Sequence, residues 1–337
     1  MNARRVRGAA LLTAAATLLF ASGCSGSSSS AGSPPGVEKP DLNVAVVPAL
    51  DSAGFFVALY QGLFAKAGLH VTFTPATSSD TVISGQAHGQ YDITGGNYVS
   101  YIQAEAAGQA NLDIFAEGSV MEPGAQGIYV MPASSIKSVA DLAGKTVAIN
   151  APKNILYLLT ASVLAENGIA PGSVKFVTTI PFPAMPAALK AGKIDAAVLP
   201  EPFASSAEQT DGAVPLVDLD QGATTNFPVE GYVVTKQWAQ KYPHTLAAFD
   251  QALEQGQRIA DSNRAAVEQA MEDLPMTPVP LGVSKQIASV MTLDNYPFIT
   301  GPAGSVDKVR LQRVVDVMQQ FLGFSSSFNI NSMLTSG

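Results

Sequence analysis

Two passages decide the fold. The first is Gly68-Leu69, then Val71-Thr72-Phe73, then Gly89-Gln90-Tyr91-Asp92-Ile93. The second is Gly168-Ile169, then Val174-Lys175-Phe176, then Gly192-Lys193-Ile194-Asp195-Ala196. They share one grammar: a glycine that stops a helix, a short edge strand, a helix, a glycine turn, and a core strand opened by Asp. A supersecondary unit written twice predicts two similarly built α/β lobes. Asp92 and Asp195 read as turn and capping residues.

Outward from the repeat, short apolar strands alternate with helical stretches, the α/β pattern. Strands are expected at Asn43–Val47, Tyr91–Thr94, Asp113–Ala116, Gly127–Met131, Thr146–Ile149, Ala196–Leu199 and Gly231–Val234. A helix is expected from Gly54 to Ala67, because Phe55, Phe56, Leu59, Leu63 and Phe64 fall on one stripe at helical spacing. Long helices are expected at His244–Glu272 and Asp307–Leu322.

Composition narrows the function. The 337 residues are 47% hydrophobic and 14% charged, enough for two cored domains and too apolar for disorder. A net charge of -8 gives none of the positive field that phosphate backbones require, so no nucleic-acid partner is expected. With one cysteine there is no internal disulfide, and the three histidines never reach metal-ligand spacing. Gly144-Lys145-Thr146 imitates the end of a phosphate-binding loop. Val139 stands where the loop needs glycine, and the strand follows the triplet instead of preceding it, so it reads as a turn. No G-x-G-x-x-G or G-x-S-x-G occurs. The inventory for catalysis is poor, and neither an enzyme nor a cofactor or metal is expected.

The amino terminus reads as an address. Arg4, Arg5 and Arg7 precede an apolar run from Gly8 to Ala21, which as a helix spans only ~21 Å, short of the hydrocarbon core. It therefore reads as an export signal over residues 1–23. Ala21-Ser22-Gly23-Cys24 resembles the lipobox of bacterial lipoproteins, although that pattern prefers Leu where Ala21 stands. The resemblance implies lipidation at Cys24 and anchoring to the outer face of the cell membrane. Residues 24–40, rich in Ser, Gly and Pro, read as a flexible tether.

Three stretches carry a family resemblance: Gly54 to Leu69, Ile136 to Ala148, and Ala187 to Phe203 (Ala-Ala-Leu-Lys-Ala-Gly-Lys-Ile-Asp-Ala-Ala-Val-Leu-Pro-Glu-Pro-Phe). In this order they resemble the sulfonate/nitrate/taurine/thiamine-precursor (NMT1/SsuA-like) solute-binding proteins of ABC importers. The resemblance implies a two-lobed type II periplasmic-binding fold with the ligand cleft between lobes. Lobe 1 would hold 41–130 and 233–330, and lobe 2 would hold 131–232, with chain crossings near Gly127–Met131 and Glu230–Tyr232. It also implies a monomer that hands solute to a permease and an ATPase subunit. Two other functions share the fold: a sensor presenting ligand to a membrane kinase, and enzymes, one of which makes a thiamine pyrimidine with a cysteine-rich motif absent here.

Candidate ligand contacts sit where strands end and helices begin. Asp51 and Ser52 join the first strand to the first helix, with Phe55 just inside it. Gly96, Asn97 and Tyr98 follow the next core strand; the glycine permits close approach, and the other two offer hydrogen bonds and a ring. In the second lobe Asn150, Asn154 and Tyr157 occupy the matching turn, and Glu201 and Phe203 end a core strand. Glu122 is a further acidic candidate, as is Glu230. No Arg occurs between Arg7 and Arg258, although Arg is the usual partner of sulfonate, nitrate and carboxylate. The four later arginines read as residues on solvated helix faces. This balance favours a neutral or cationic organic solute, such as a thiamine-pyrimidine-like compound, over a bare anion, with a sulfonate next.

Overall fold

The computed structural model describes residues 36–272, 274, 285–290, 306–325 and 327–334. The expected signal peptide, Cys24 and the tether up to residue 35 lie outside the described residues. The described chain belongs to one compact unit.

Among the described residues, ten strands build two five-stranded sheets. They are β1 (Asp41–Val46), β2 (His70–Pro75), β3 (Ile93–Asn97), β4 (Leu112–Val120), β5 (Gln126–Val130), β6 (Thr146–Ala148), β7 (Lys175–Val177), β8 (Ala196–Pro200), β9 (Val214–Asp218) and β10 (Pro228–Thr235). The first sheet has the order β2-β1-β3-β10-β4 and the second β7-β6-β8-β5-β9. In each sheet the first three strands are parallel, and an antiparallel strand follows.

The helices are α1 (Ala53–Tyr60), α2 (Leu63–Lys66), α3 (Ser79–Ala87), α4 (Tyr98–Ala106), α5 (Ile155–Glu166), α6 (Met185–Lys190), α7 (Phe203–Ser206), α8 (Lys236–Lys241), α9 (Pro243–Ser262), α10 (Arg264–Glu272), α11 (Lys285–Val290) and α12 (Lys308–Leu322).

The repeat read from the sequence is structural. The Asp92 carboxylate accepts the Asn43 N–H at 2.9 Å, and the Asp195 carboxylate accepts the Thr146 N–H at 2.8 Å. Each Asp N–H returns a bond to the carbonyl of that same residue. The same pair of bonds thus locks β1 to the entry of β3 in one sheet and β6 to the entry of β8 in the other. Gly68, Gly89, Gly168 and Gly192 all have positive φ, as helix-ending and turn glycines should.

Several boundaries differ from the expectation. Gln126–Val130 pairs with β8 and β9, so it belongs to the second sheet rather than to lobe 1. Pro228–Thr235 pairs wholly with β3 and β4 of the first sheet. The two crossings are therefore residues 121–125 and 219–227, earlier than expected, and the Met121 N–H bonds to the Phe227 carbonyl to hold them side by side. The first long helix is broken at Gly62, whose φ of 69° ends α1 and starts α2. His244–Glu272 is two helices, because Asn263 leaves helical geometry and its side chain caps α10 at the Ala266 N–H. The edge strand β9 was not expected; its Pro215 hides it, and an edge is where a strand tolerates proline. The described end of the tether is pinned rather than free. The Glu38 carboxylate accepts the His244 and Thr245 N–H groups at the start of α9. Burial acts to raise its pKa, but bonds from Thr245 and His244 outweigh it and bring the value to about 2.

Under the first sheet an aromatic cluster fills the core. Phe55 meets Phe56, Phe64, Phe73 and Tyr232 within 6.4 Å between centroids, and Phe64 stacks on Phe249 at 4.6 Å. α1 lies against α9 with almost no gap. A Cβ on Gly256 would stand 2.3 Å from the Gly54 carbonyl oxygen, and one on Gly54 would meet Gln257 Cγ at 2.5 Å. Backbone cannot yield as a side chain can. Gly256→Ala is therefore expected to cost about 1–3 kcal/mol through forced separation of the helices, read as a lower urea midpoint at unchanged slope. A midpoint equal to wild type would show that the helices do not pack this closely.

Candidate functional site

Parallel strands present their carboxyl ends to one edge of a sheet, and antiparallel strands present their amino ends to the same edge. Both sheets turn that edge toward a shared cavity. From the first sheet come Val47 and Asp51 after β1, Gly96 and Asn97 at the end of β3, and Val229 and Glu230 at the start of β10. From the second come Gln126 at the start of β5, Asn150 after β6, Asn154, Ile155 and Leu156 at the start of α5, and Pro200 at the end of β8. Ser79 from α3 and Phe182 complete the wall.

The cavity volume is about 30 Å³, room for roughly two waters. It is narrow because protein groups bridge the two sides. The Leu50 N–H bonds the Glu201 carbonyl at 2.9 Å. Gln103 Nε2 bonds the Lys153 carbonyl at 2.9 Å, and Asn150 Nδ2 reaches the Thr77 carbonyl at 3.4 Å.

The polar groups divide by what they offer. Ser79 Oγ accepts from both Asn97 N–H and Asn97 Nδ2, at 3.0 and 2.8 Å. Its own proton is left to donate. Gly96 makes this possible, since a Cβ there would stand 2.5 Å from Ser79 Oγ. On the acceptor side, Gln126 Nε2 is 3.4 Å from Asp51 Oδ1, while Gln126 Oε1 is buried with no partner among the described residues. Burial pushes the Asp51 carboxyl up to about 7, partly offset by Gln126. Burial, then the neighbouring Asp51 charge, pushes Glu230 well above the carboxylate range. Among the described residues, the lining contains neither Lys nor Arg.

Of the sequence-predicted contacts, Asp51, Gly96, Asn97, Asn150, Asn154 and Glu230 are in the wall. Ser52 lies directly behind it, fully buried, with Oγ 2.6 Å from Glu230 Oε1. The others are not among the lining residues. Phe55 belongs to the aromatic cluster described above. Tyr98 turns down across β10, where a Cβ on Gly231 would lie 2.4 Å from its ring. Phe203 stacks behind Phe182 at 5.1 Å. Tyr157 packs on Phe176 at 4.9 Å, three residues past Asn154, whose side chain caps α5. Glu201 caps α7, accepting from Ser205 N–H and Oγ. Glu122 lies in the first crossing, pushed up by burial and then by Asp220. Gln126 and Ser79 were missed, because the start of an antiparallel strand and a helix start after an edge strand carry no sequence mark of their own.

Arg258 is on a solvated helix face as expected, whereas Arg310 and Arg313 are engaged with the fold. Arg310 pairs with the buried Glu117, and Arg313 donates to the carbonyls of Ala223, Thr225 and Asn226. Both fasten α12 to structure next to the crossings. Among the described residues no helix is long and apolar enough to cross a membrane, and no group of three metal-ligating side chains occurs.

Comparison with known proteins agrees with this geometry. Residues 35–273 match the NMT1-like family. The chain belongs to that family. Its fold is that of the alkanesulfonate-binding protein SsuA from Xanthomonas axonopodis pv. citri bound to MOPS, with a TM-score of 0.74 at 18% identity over 88% of this chain and 98% of that one. It is also that of the periplasmic nitrate-binding protein NrtA from Synechocystis, with a TM-score of 0.72 at 15% identity over 88% and 85%. The two-lobed periplasmic-binding fold is thereby shown. Two curated relatives, both from Synechocystis, are the bicarbonate transport ATP-binding protein CmpC, 28% identical, and the nitrate import ATP-binding protein NrtC, 26% identical. They match over 65% and 77% of this chain, which spans only 35% and 41% of their length.

An acid held at a raised pKa makes the fold less stable as pH rises. Folded Asp51 titrates near 7, against 3.8 for an unperturbed aspartate. Its contribution is complete below about pH 4 and is lost as pH climbs to about 7. Asp51→Asn is expected to be more stable than wild type at pH 8 by about 1–2 kcal/mol, with a flatter stability profile between pH 5 and 7.5 in urea unfolding. A variant that is less stable at pH 8 would show that the carboxylate is well solvated or paired.

Proposed function

We propose that the chain is the extracytoplasmic solute-binding lipoprotein of an ABC importer, and that the cavity between its sheets captures a small organic solute. The observation that carries this reading is that neither sheet makes the site alone: Asp51, Asn97 and Glu230 face Gln126, Asn150 and Asn154 across it. A solute touching both sets favours the closed arrangement, since only there are all the contacts made together. The importer would read that closed shape. The likeness to alkanesulfonate- and nitrate-binding proteins and to the ATP-binding proteins of bicarbonate and nitrate transport supports the assignment to import.

The donor and acceptor balance bears on the solute. The Ser79 hydroxyl asks for an acceptor atom, and the starts of α4 and α5 favour partial negative charge. Asp51, Glu230 and Gln126 Oε1 ask for N–H or O–H groups. A bare nitrate or sulfonate satisfies the first set and leaves the carboxyl groups facing an anion. A neutral or cationic organic solute carrying both kinds of atom, such as an aminopyrimidine, satisfies both. Protein purified without refolding should therefore retain an organic solute in native mass spectrometry, and adding that solute should raise the melting temperature by mass action. A broad metabolite screen with no thermal shift for any compound would refute the reading.

Cys24 supplies the anchor in this account. From Cys24 to Gly36 the chain can reach at most about 40 Å, so the body would stay near the membrane while turning freely on its tether. Labelled fatty acid should enter the wild-type protein, and Cys24→Ser should lose the label and leave the membrane fraction. A Cys24→Ser protein that stays membrane-bound would contradict lipid anchoring.

A further inference from the structure

Ser52 Oγ lies 3.0 Å from the Val47 carbonyl oxygen and 2.6 Å from Glu230 Oε1. A hydroxyl has one proton. Either that proton is shared between the two acceptors, or Glu230 brings a proton of its own and donates to Ser52 Oγ while Ser52 donates to Val47; the burial that pushes Glu230 well above the carboxylate range favours the second arrangement. Glu230 is therefore the neutral member of a pair whose other member, Asp51, stands at the same wall. Next to them is Gln126 Oε1, on a side chain only 1% exposed and with no hydrogen-bond partner among the described residues. Three acceptor groups thus converge on one small space.

We propose that Asp51 and Glu230 form a carboxyl pair, Glu230 neutral and Asp51 the member that ionises, which receives a cationic N–H group of the solute, an amidinium, guanidinium or protonated aminopyrimidine, with Gln126 Oε1 as the third acceptor. On binding, the cation enters and the Asp51 proton leaves to solvent while Glu230 stays neutral, so the charge of the site changes little. This rests on the reading of the cavity as the solute site and goes beyond it by fixing the chemistry of one end of the ligand.

The surroundings leave the pair to titrate largely on its own. Tyr232 on β10 hydrogen-bonds Glu230, and Tyr98 and Tyr101 on α4 lie near it; burial pushes all three phenols far above neutral pH. Glu117 on β4 is paired with Arg310 of α12. From the second sheet's side, Glu201 gives its carboxylate to Ser205. Asp51 titrates near 7, so the exchange falls within the range an extracytoplasmic protein meets.

The test is calorimetric titration of the intact protein with methylguanidinium, which stays charged throughout, at pH 5 to 8 and in two buffers of different ionisation heat. Close to one proton should be released per cation at pH 6, and affinity should rise about tenfold per pH unit from pH 5 to 6.5. Glu230→Gln should fold, because a carboxamide also donates to Ser52 Oγ. Because the carboxamide copies a neutral carboxyl, this variant should bind the cation within about threefold of wild type and keep the pH dependence. Asp51→Asn, expected to gain stability, should bind the cation at least about tenfold more weakly, with a flatter pH profile, and this holds as the test if Glu230→Gln fails to fold. Failure to bind methylguanidinium, a pH-independent affinity, or tighter binding of nitrate or methanesulfonate than of the cation overturns the proposal. In each case an organic solute retained in native mass spectrometry would leave the importer reading standing, whereas a metabolite screen without any ligand removes that reading itself.

Discussion

The return of the chain as β10, antiparallel between β3 and β4, is the constraint on which the rest depends. A parallel strand in that slot would present its carboxyl end to the cavity. The antiparallel one presents Val229 and Glu230 instead, and its register sets Glu230 opposite Asn97. It brings an acidic side chain to the turn that holds Asp51 and Ser52. Its close packing demands glycines on both sides: a Cβ on Gly95 of β3 would stand 2.7 Å from the Tyr232 ring, and one on Gly231 of β10 itself would strike Tyr98. The paired glycines at the end of β3 therefore serve side-chain packing first. Only Gly96 also borders the cavity.

Because the chain crosses between the sheets twice, at residues 121–125 and 219–227, the two halves are joined by short adjacent segments. Arg313 ties α12 to the second of these, and α12 packs on both α4 and α5. In the proposed mode of capture, a joint of this kind would let the sheets rock while keeping their cavity-facing edges in register. The bonds that bridge the cavity are few, and most are backbone or amide contacts at its rim. They are weak enough to exchange for solute contacts, since each intramolecular bond nets only about 1 kcal/mol against water.

Much of the fold was legible because the repeat reports backbone geometry. Glycines at helix ends and Asp at strand starts are demanded by local conformation, and Asp92 and Asp195 do the same job in the two sheets. The crossings were less legible. Residues 126–130 read as a strand, but nothing in their pattern says which sheet they join. The site was half legible for a related reason. Loop residues after parallel strands, such as Asp51, Asn97 and Asn150, follow from where such strands end. Gln126 and Ser79 enter through antiparallel pairing and helix placement, which only the assembled sheets show. Rings were the poorest guide: Phe55, Tyr98 and Phe203 sit at the right positions in sequence, yet burying a ring gains more than exposing it in a cleft.

Capture as proposed requires the two sheets to close on a solute. It is tested most directly by the distance between spin labels at Ser84→Cys and Ser173→Cys, exposed positions flanking the two halves, in a Cys24→Ser background. Adding the solute that native mass spectrometry retains should shorten and narrow the distribution relative to the emptied protein. An identical distribution with solute bound would contradict closure and, with it, the mechanism of capture.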